Sequence, residues 1–237
     1  MIRVADILPK NWLDVFSPHH GQIGIGLDPA TTTKATSNPS AIVVDQRVNL
    51  THFFRLALRF KTADPDVTFY LLNTIVTGLR GRGLSVRRLC ILATNERFFA
   101  VSVRKKMTGK VPVELVIESE KTTYLGEGML MKAYLGALLV NTIDDGYLAL
   151  PGAEFVKTDL RLVVRDRGTF DSEIGEDGGH GDIFAAGGAA IHAITAKGGV
   201  PEAHAVQVGT FGARPAVGRK LHPESQPYGR PQARRIC

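Results

Sequence analysis

The stretch at residues 22–45, QIGIGLDPATTTKATSNPSAIVVD, decides the fold. Ile23, Ile25 and Leu27 alternate with Gly24 and Gly26, which reads as a buried β-strand with two positions lacking side chains. The strand ends on Asp28, because Pro29 has no N–H to continue a ladder. A loop rich in Thr, Ser, Asn and Pro follows, and a second apolar strand at residues 41–44 leads away from it. An acid at the end of a central strand, facing a polar hairpin loop, is placed to hold a metal ion. It is equally suited to bonding the amides of the turn.

Working outward, residues 50–60 (LTHFFRLALRF) supply a third strand, giving three antiparallel strands in succession. Asp64 and Pro65 form a helix start, and Phe69, Leu72, Ile75, Val76 and Leu79 follow at helical spacing. Residues 86–93 (VRRLCILA) make a fourth strand, parallel to the first and lying beside it. A second helix carries Phe98, Phe99, Val101 and Val103, and residues 111–117 (VPVELVI) read as a fifth strand. A long apolar helix is expected over residues 124–142. A hairpin is expected from residues 155–164 and 169–174, and an alanine-rich helix from 182–197. The order predicts an α/β fold with a mixed sheet: three antiparallel strands, then parallel additions, flanked by helices.

Three regions follow. Residues 1–21 read as a lead-in or linker, 22–197 as the folded domain, and 198–237 as a basic tail with five prolines that is expected to be largely disordered. The two cysteines, Cys90 and Cys237, are too few for a disulfide framework, so a cytoplasmic setting is expected. The longest apolar run, residues 129–140, falls short of the ~20 residues of a membrane helix.

The net charge is +6, unevenly spread. Nine Lys or Arg fall between positions 80 and 110 against one acid, Glu96. Of these, Arg80, Arg82, Arg87, Arg88, Arg97, Arg104, Lys105 and Lys106 are candidates for gripping phosphates. A solvated basic face is the plainer reading. Acids concentrate instead between positions 114 and 182.

Adjacent first and fourth strands bring Asp28 near Glu96, and the third acid is Asp182 at the start of the last helix, in GGHGDIFAAGGAAIHA. Converging carboxylates repel unless cations neutralise them, and hard oxygen ligands favour Mg²⁺ or Mn²⁺. Two such ions can activate a water and stabilise the leaving oxygen of a phosphodiester. His180, two residues before Asp182, could be a ligand or a proton-transfer group. Each has a competitor: Asp182 could cap its helix, Glu96 could serve the helix dipole, and His180 could be an exposed loop residue. Asp45 is expected to end its strand on the far side from Asp28, and Glu118, Glu120 and Asp177 are reserve candidates.

The motifs GIGLDPA, SNPSAIVV, ILATNERFFA and HGDIFAAGGAAIHA together resemble the nuclease domain of tailed-phage terminase large subunits, in particular those of Mu-like phages. The resemblance covers residues 20–197 as an order of elements. It implies a ribonuclease H-like fold and metal-dependent cutting of double-stranded DNA during genome packaging, in the host cytoplasm. Asp28 would be the first-strand ligand and Asp182 the last-helix ligand, with His180 beside it. The family's acid at the end of the fourth strand is missing, since Leu92, Ala93 and Thr94 stand there, so Glu96 must substitute or the ligand is absent. No GxxxxGK[ST] loop is present, which predicts an isolated nuclease domain whose partners include an ATPase domain absent from this chain, the portal protein and the small terminase subunit.

Other readings keep part of this picture. A resolvase- or transposase-like nuclease would share the fold, and a DNA- or capsid-docking module would carry a degenerate acidic site. An actin-like ATPase needs a second phosphate loop, which the sequence lacks.

Overall fold

The computed structural model describes residues 3–17, 21–32, 38–166, 168–175 and 179–196. The expected disordered tail and the reserve candidate Asp177 lie outside them. Strands β1 (Gln22–Asp28), β2 (Ser40–Val48) and β3 (Thr51–Phe60) form an antiparallel meander. β4 (Val86–Leu92) joins the other side of β1 in parallel, and β5 (Val113–Val116) joins β4 in parallel. The two-residue β8 (Leu148–Ala149), too short to read from periodicity, extends the far edge, giving the order β5-β4-β1-β2-β3-β8. The mixed α/β sheet is the one the sequence predicts.

One face carries α2 (Pro65–Gly81) and α3 (Arg97–Met107). Asp64 caps α2 by accepting from the Asp66 N–H at 2.8 Å, and Pro65 occupies its first turn. Ile23, Ile25 and Leu27 point into this layer, where they pack with Leu71, Leu72, Ile75 and Leu79. Leu8, Trp12 and Phe16 are buried in the same cluster, so the segment before β1, with α1 (Val4–Ile7) and a 3₁₀ turn at Trp12–Val15, is part of this core. Leu72 is fully buried. Leu72→Ala is expected to cost about 2–5 kcal/mol, read as a lowered urea midpoint.

The other face carries α4 (Met131–Asp144), α5 (Glu154–Arg161) and α6 (Asp182–Thr195). Here lies the reason for the glycines of β1. A Cβ at Gly24 would meet the Ala190 carbonyl oxygen, and one at Gly26 the Ala186 carbonyl oxygen. The bare strand and the alanine-rich helix let two backbones touch.

Three local expectations are corrected. The helix expected from 124 starts at 131; before it comes a hairpin of β6 (Lys121–Tyr124) and β7 (Glu127–Leu130). Leu125 and Gly126 both have positive φ, +51° and +88°, as the tightest hairpin turns require. The expected strand at 155–164 is mostly α5, whose buried Val156 and Asp159 are three apart on one helical face. Only β9 (Val163–Asp166) and β10 (Thr169–Ser172) form the hairpin. Asp45 does not end its strand: β2 runs on to Val48, and Asp45 is fully buried against His52 Nδ1, 2.5 Å away.

Candidate active site

The register of β1 against α6 builds the site. Gly24 lies against Ala190 and Gly26 against Ala186, so two strand residues match four helix residues. One further step pairs Asp28 with Asp182. Two strand residues rise about 6.6 Å and four helical residues about 6 Å, so the two runs keep pace. Even-numbered positions of β1 share a face, which turns Asp28 toward α6.

Asp182 is buried, with 4% of its surface exposed, and its Oδ2 accepts from the His180 N–H at 3.5 Å. It does not serve as the helix cap. Gly181, at φ +74°, precedes the helix, and the amides of Ile183 and Phe184 donate to Asp159 Oδ1 at 2.9 and 3.1 Å. A carboxylate from α5 thus stands at the start of α6, where the helix dipole favours negative charge. Its second oxygen, Oδ2, is buried with no hydrogen-bond partner among the described residues.

Burial, followed by the charges of Asp182, Glu118 and Asp159, holds the Asp28 carboxyl well above the usual carboxylate range. Asp159 is also raised, chiefly by burial, against the pull of its backbone hydrogen bonds and Arg59. The acidic group is therefore Asp28, Asp182, Glu118 and Asp159. Glu118 follows β5, the neighbour of β4, and its N–H donates to Thr94 Oγ1 at 2.9 Å. An acid from the adjacent strand is thus tied to the position where β4 ends without one.

Glu96 is placed differently. Its Oε1 accepts from Thr31 Oγ1 at 2.9 Å, which fastens the start of α3 to the loop after β1, three residues beyond Asp28. His180 is half-buried and lines a small cavity with Glu118, Lys132, Phe170 and Asp171, where Lys132 and Asp171 pair at 3.0 Å. Glu118 was only a reserve candidate in sequence, and Asp159 fell within an expected strand. No periodicity could have flagged it, because its role depends on docking α5 against the start of α6.

The basic candidates separate by exposure. Arg97, Arg104 and Lys105 are exposed on α3. Lys106 pairs with Asp66, Arg82 with Asp14 at 2.6 Å, and Arg80 donates to the Lys110 carbonyl. Arg87 donates to the Ala196 carbonyl at 3.0 Å. Arg88 is buried at 6% exposure with its guanidinium on Glu114, so it is not offered to a surface ligand.

The donors in the acidic group are hard carboxylate oxygens, one of them buried without a partner, and they repel one another. That combination fits a divalent cation. A measurable consequence concerns stability. Because Asp28 binds its proton more tightly when folded than at its ordinary value of 3.8, the folded state holds more protons between those two values. Stability of the metal-free protein should therefore fall as pH rises from about 4 through the raised value. Thermal melts in EDTA across that range check this, and saturating Mn²⁺ at neutral pH should restore about 3–4 kcal/mol at 100–1,000 times its dissociation constant.

The fold and site define a ribonuclease H-like α/β domain with acids gathered at one end of its central strand. The chain shares its fold with the nuclease domains of terminase large subunits. No family model and no curated protein matches the sequence. Among solved structures, the large terminase of the thermophilic bacteriophage D6E superposes with a TM-score of 0.52 at 10% identity, covering 76% of this chain and 41% of that one. The large terminase nuclease of thermophilic phage G20c, with bound magnesium, gives 0.51 at 14% identity, covering 74% and 82%. A mutant nuclease domain of the gp2 large terminase subunit of bacterial virus Sf6, with manganese and β-thujaplicinol, gives 0.51 at 10%, covering 81% and 99%. The chain thus spans about two fifths of the D6E protein and nearly all of the Sf6 domain.

Proposed function

We propose that this chain is the metal-dependent endonuclease domain of a phage DNA-packaging terminase, hydrolysing phosphodiesters of double-stranded DNA. The observation that carries the reading is the facing of Asp28 and Asp182 across the β1–α6 contact, with Glu118 and Asp159 adding to the charge. Asp28 and Asp182 would hold Mg²⁺ or Mn²⁺, with Glu118 or Glu96 completing the set. Two such ions, when bound, would supply Lewis acidity for a water nucleophile and for the departing 3′-oxygen.

The protein's own residues do the rest. Asp159, rather than Asp182, caps α6, and the Asp182 carboxylate would bind the cation. His180, which lines the cavity beside Asp182, would pass a proton between water and the departing oxygen. Arg97, Arg104 and Lys105, exposed on α3, would hold backbone phosphates, giving salt-sensitive binding with little sequence preference. An ATPase domain, the portal protein and the small terminase subunit are the partners this role requires.

One observation favours a second reading. β4 ends at Leu92 and is followed by Ala93 and Thr94, with no acid of its own, as in a DNA- or capsid-docking module whose site has decayed. A resolvase- or transposase-like nuclease would share the acids but prefer branched DNA. Supercoiled plasmid incubated with Mn²⁺, Mg²⁺ or EDTA decides among them. Metal-dependent nicking and linearisation is the expected result. Binding without cleavage would favour the docking module, and preferential cutting of four-way junctions the resolvase.

A further inference from the structure

On the same face as the acids, but some ten helical residues further along α6, a second group converges. Cys90 in β4 and Glu114 in β5 are paired in register, so their side chains leave the sheet side by side. His192, in the last turn of α6, descends onto them. His192 Nε2 lies 3.2 Å from Glu114 Oε1, and Cys90 Sγ lies 3.9 Å from Glu114 Oε2. One donor atom from each of the three residues falls within 4.8 Å of the others. Ten helical residues span about 15 Å, so this group is separate from Asp182.

We propose that Cys90, Glu114 and His192 form a binding site for a zinc-class divalent cation, distinct from the acidic site. The donor set is one thiolate sulfur, one imidazole nitrogen and one carboxylate oxygen, the mixture that zinc accepts and that Mg²⁺ does not. With bonds of about 2.0 Å to N and O and 2.3 Å to S, a tetrahedral ion needs its ligand atoms roughly 3.3–3.7 Å apart. The three donor atoms lie within 4.8 Å of one another, so the farthest pair would close by no more than about 1–1.5 Å to reach that.

The surroundings are those that orient metal ligands. His192 Nδ1 is 3.2 Å from the Tyr134 hydroxyl oxygen, which can accept a hydrogen bond from Nδ1–H and so favour the tautomer whose Nε2 carries the lone pair facing the group. Arg88 holds the Glu114 carboxylate. Glu114 can thus give one oxygen to the ion while the other stays on the guanidinium, whose charge offsets the two anionic ligands. Cys90 is fully buried and His192 is 6% exposed, whereas Glu114 opens onto a cavity lined by Arg104, Tyr134 and Thr195. That cavity gives the ion an entry and leaves its fourth position to water. Binding converts the Cys90 thiol to a thiolate and releases one proton to solvent. The ion would tie the end of α6 to β4 and β5.

The test uses the full chain, reduced, titrated with Co²⁺ as a zinc surrogate. One equivalent is expected to produce a thiolate-to-cobalt charge-transfer band and the strong visible bands of a tetrahedral site, both displaced by Zn²⁺. The bands should survive Cys237→Ser and Asp28→Asn, disappear in Cys90→Ser, and need upwards of roughly 100-fold more Co²⁺ in His192→Gln, since loss of a group that only orients a ligand already costs about 10–100-fold. Circular dichroism of Cys90→Ser confirms that it folds. A folded parent without a thiolate band overturns the proposal, as does a band that persists in Cys90→Ser. Because Asp28→Asn removes the acidic site but not this one, the outcome is independent of whether the chain cuts DNA.

Discussion

Asp28→Asn and Asp182→Asn should each reduce Mn²⁺-dependent plasmid cleavage by on the order of a thousand-fold or more, while leaving the fold intact. Asparagine keeps the size of aspartate but donates where the carboxylate accepted, and it carries no charge for a cation. Loss of a single preorganised charge contact at a reacting centre typically costs 10²–10³ in rate. Here the residue would also hold the ion that activates the water, so the loss should lie at or above that range. The stability readout runs the opposite way. Burial, and then the charges of Asp182, Glu118 and Asp159, disfavour the charged form of Asp28. Replacing it with a neutral amide removes that repulsion, so the variant in EDTA at neutral pH should melt at or above the parent. Mn²⁺ should stabilise the parent and not the variant. Inactive, unfolded protein would leave the role of Asp28 structural, and unchanged cleavage would remove it from the site altogether.

The second large effect is predicted at Gly26. Its alanine variant should lose about 3 kcal/mol or more, enough to leave a substantial unfolded fraction in a domain of ordinary stability. A Cβ there meets the Ala186 carbonyl oxygen and comes within 2.7 Å of the Ala190 amide nitrogen, both backbone atoms of α6 that cannot rotate aside. Relief requires the helix to lift off the sheet. That movement would also separate Asp182 from Asp28, so the folded remainder should cleave poorly. Gly128, in β7, is the control, because a Cβ there meets nothing within 4 Å. Gly128→Ala should shift the urea midpoint by less than the equivalent of about 1 kcal/mol. Equal losses at both positions would show that strand glycines matter here for reasons other than the contact with α6.

The legible parts of the sequence were those where one local rule sufficed. Alternation in β1 and β3, the Asp64–Pro65 helix start and the spacing of Phe69 to Leu79 each mark an element without reference to the rest of the chain. The misread parts were those where local rules conflict. Leu125 takes positive φ in the turn between β6 and β7, a conformation its side chain disfavours, so nothing at that position announced the hairpin. In α5, apolar residues at 155, 156 and 160 satisfy strand and helix periods alike over so short a segment.

The sequence by itself determined the mixed sheet, because a period of two and a period of 3.6 are written residue by residue. It also determined that Asp28 ends a central strand and Asp182 opens the last helix. Only the tertiary structure decided which acids stand together. Glu118 joins Asp28 because β5 lies beside β4, Asp159 because α5 caps α6, and Glu96 is drawn to Thr31 instead. The same holds for Cys90, Glu114 and His192, up to 102 positions apart in sequence and within 4.8 Å in space. Periodicity records which face a residue presents. Which charges meet depends on strand order and helix register, and these are fixed by packing over the whole core.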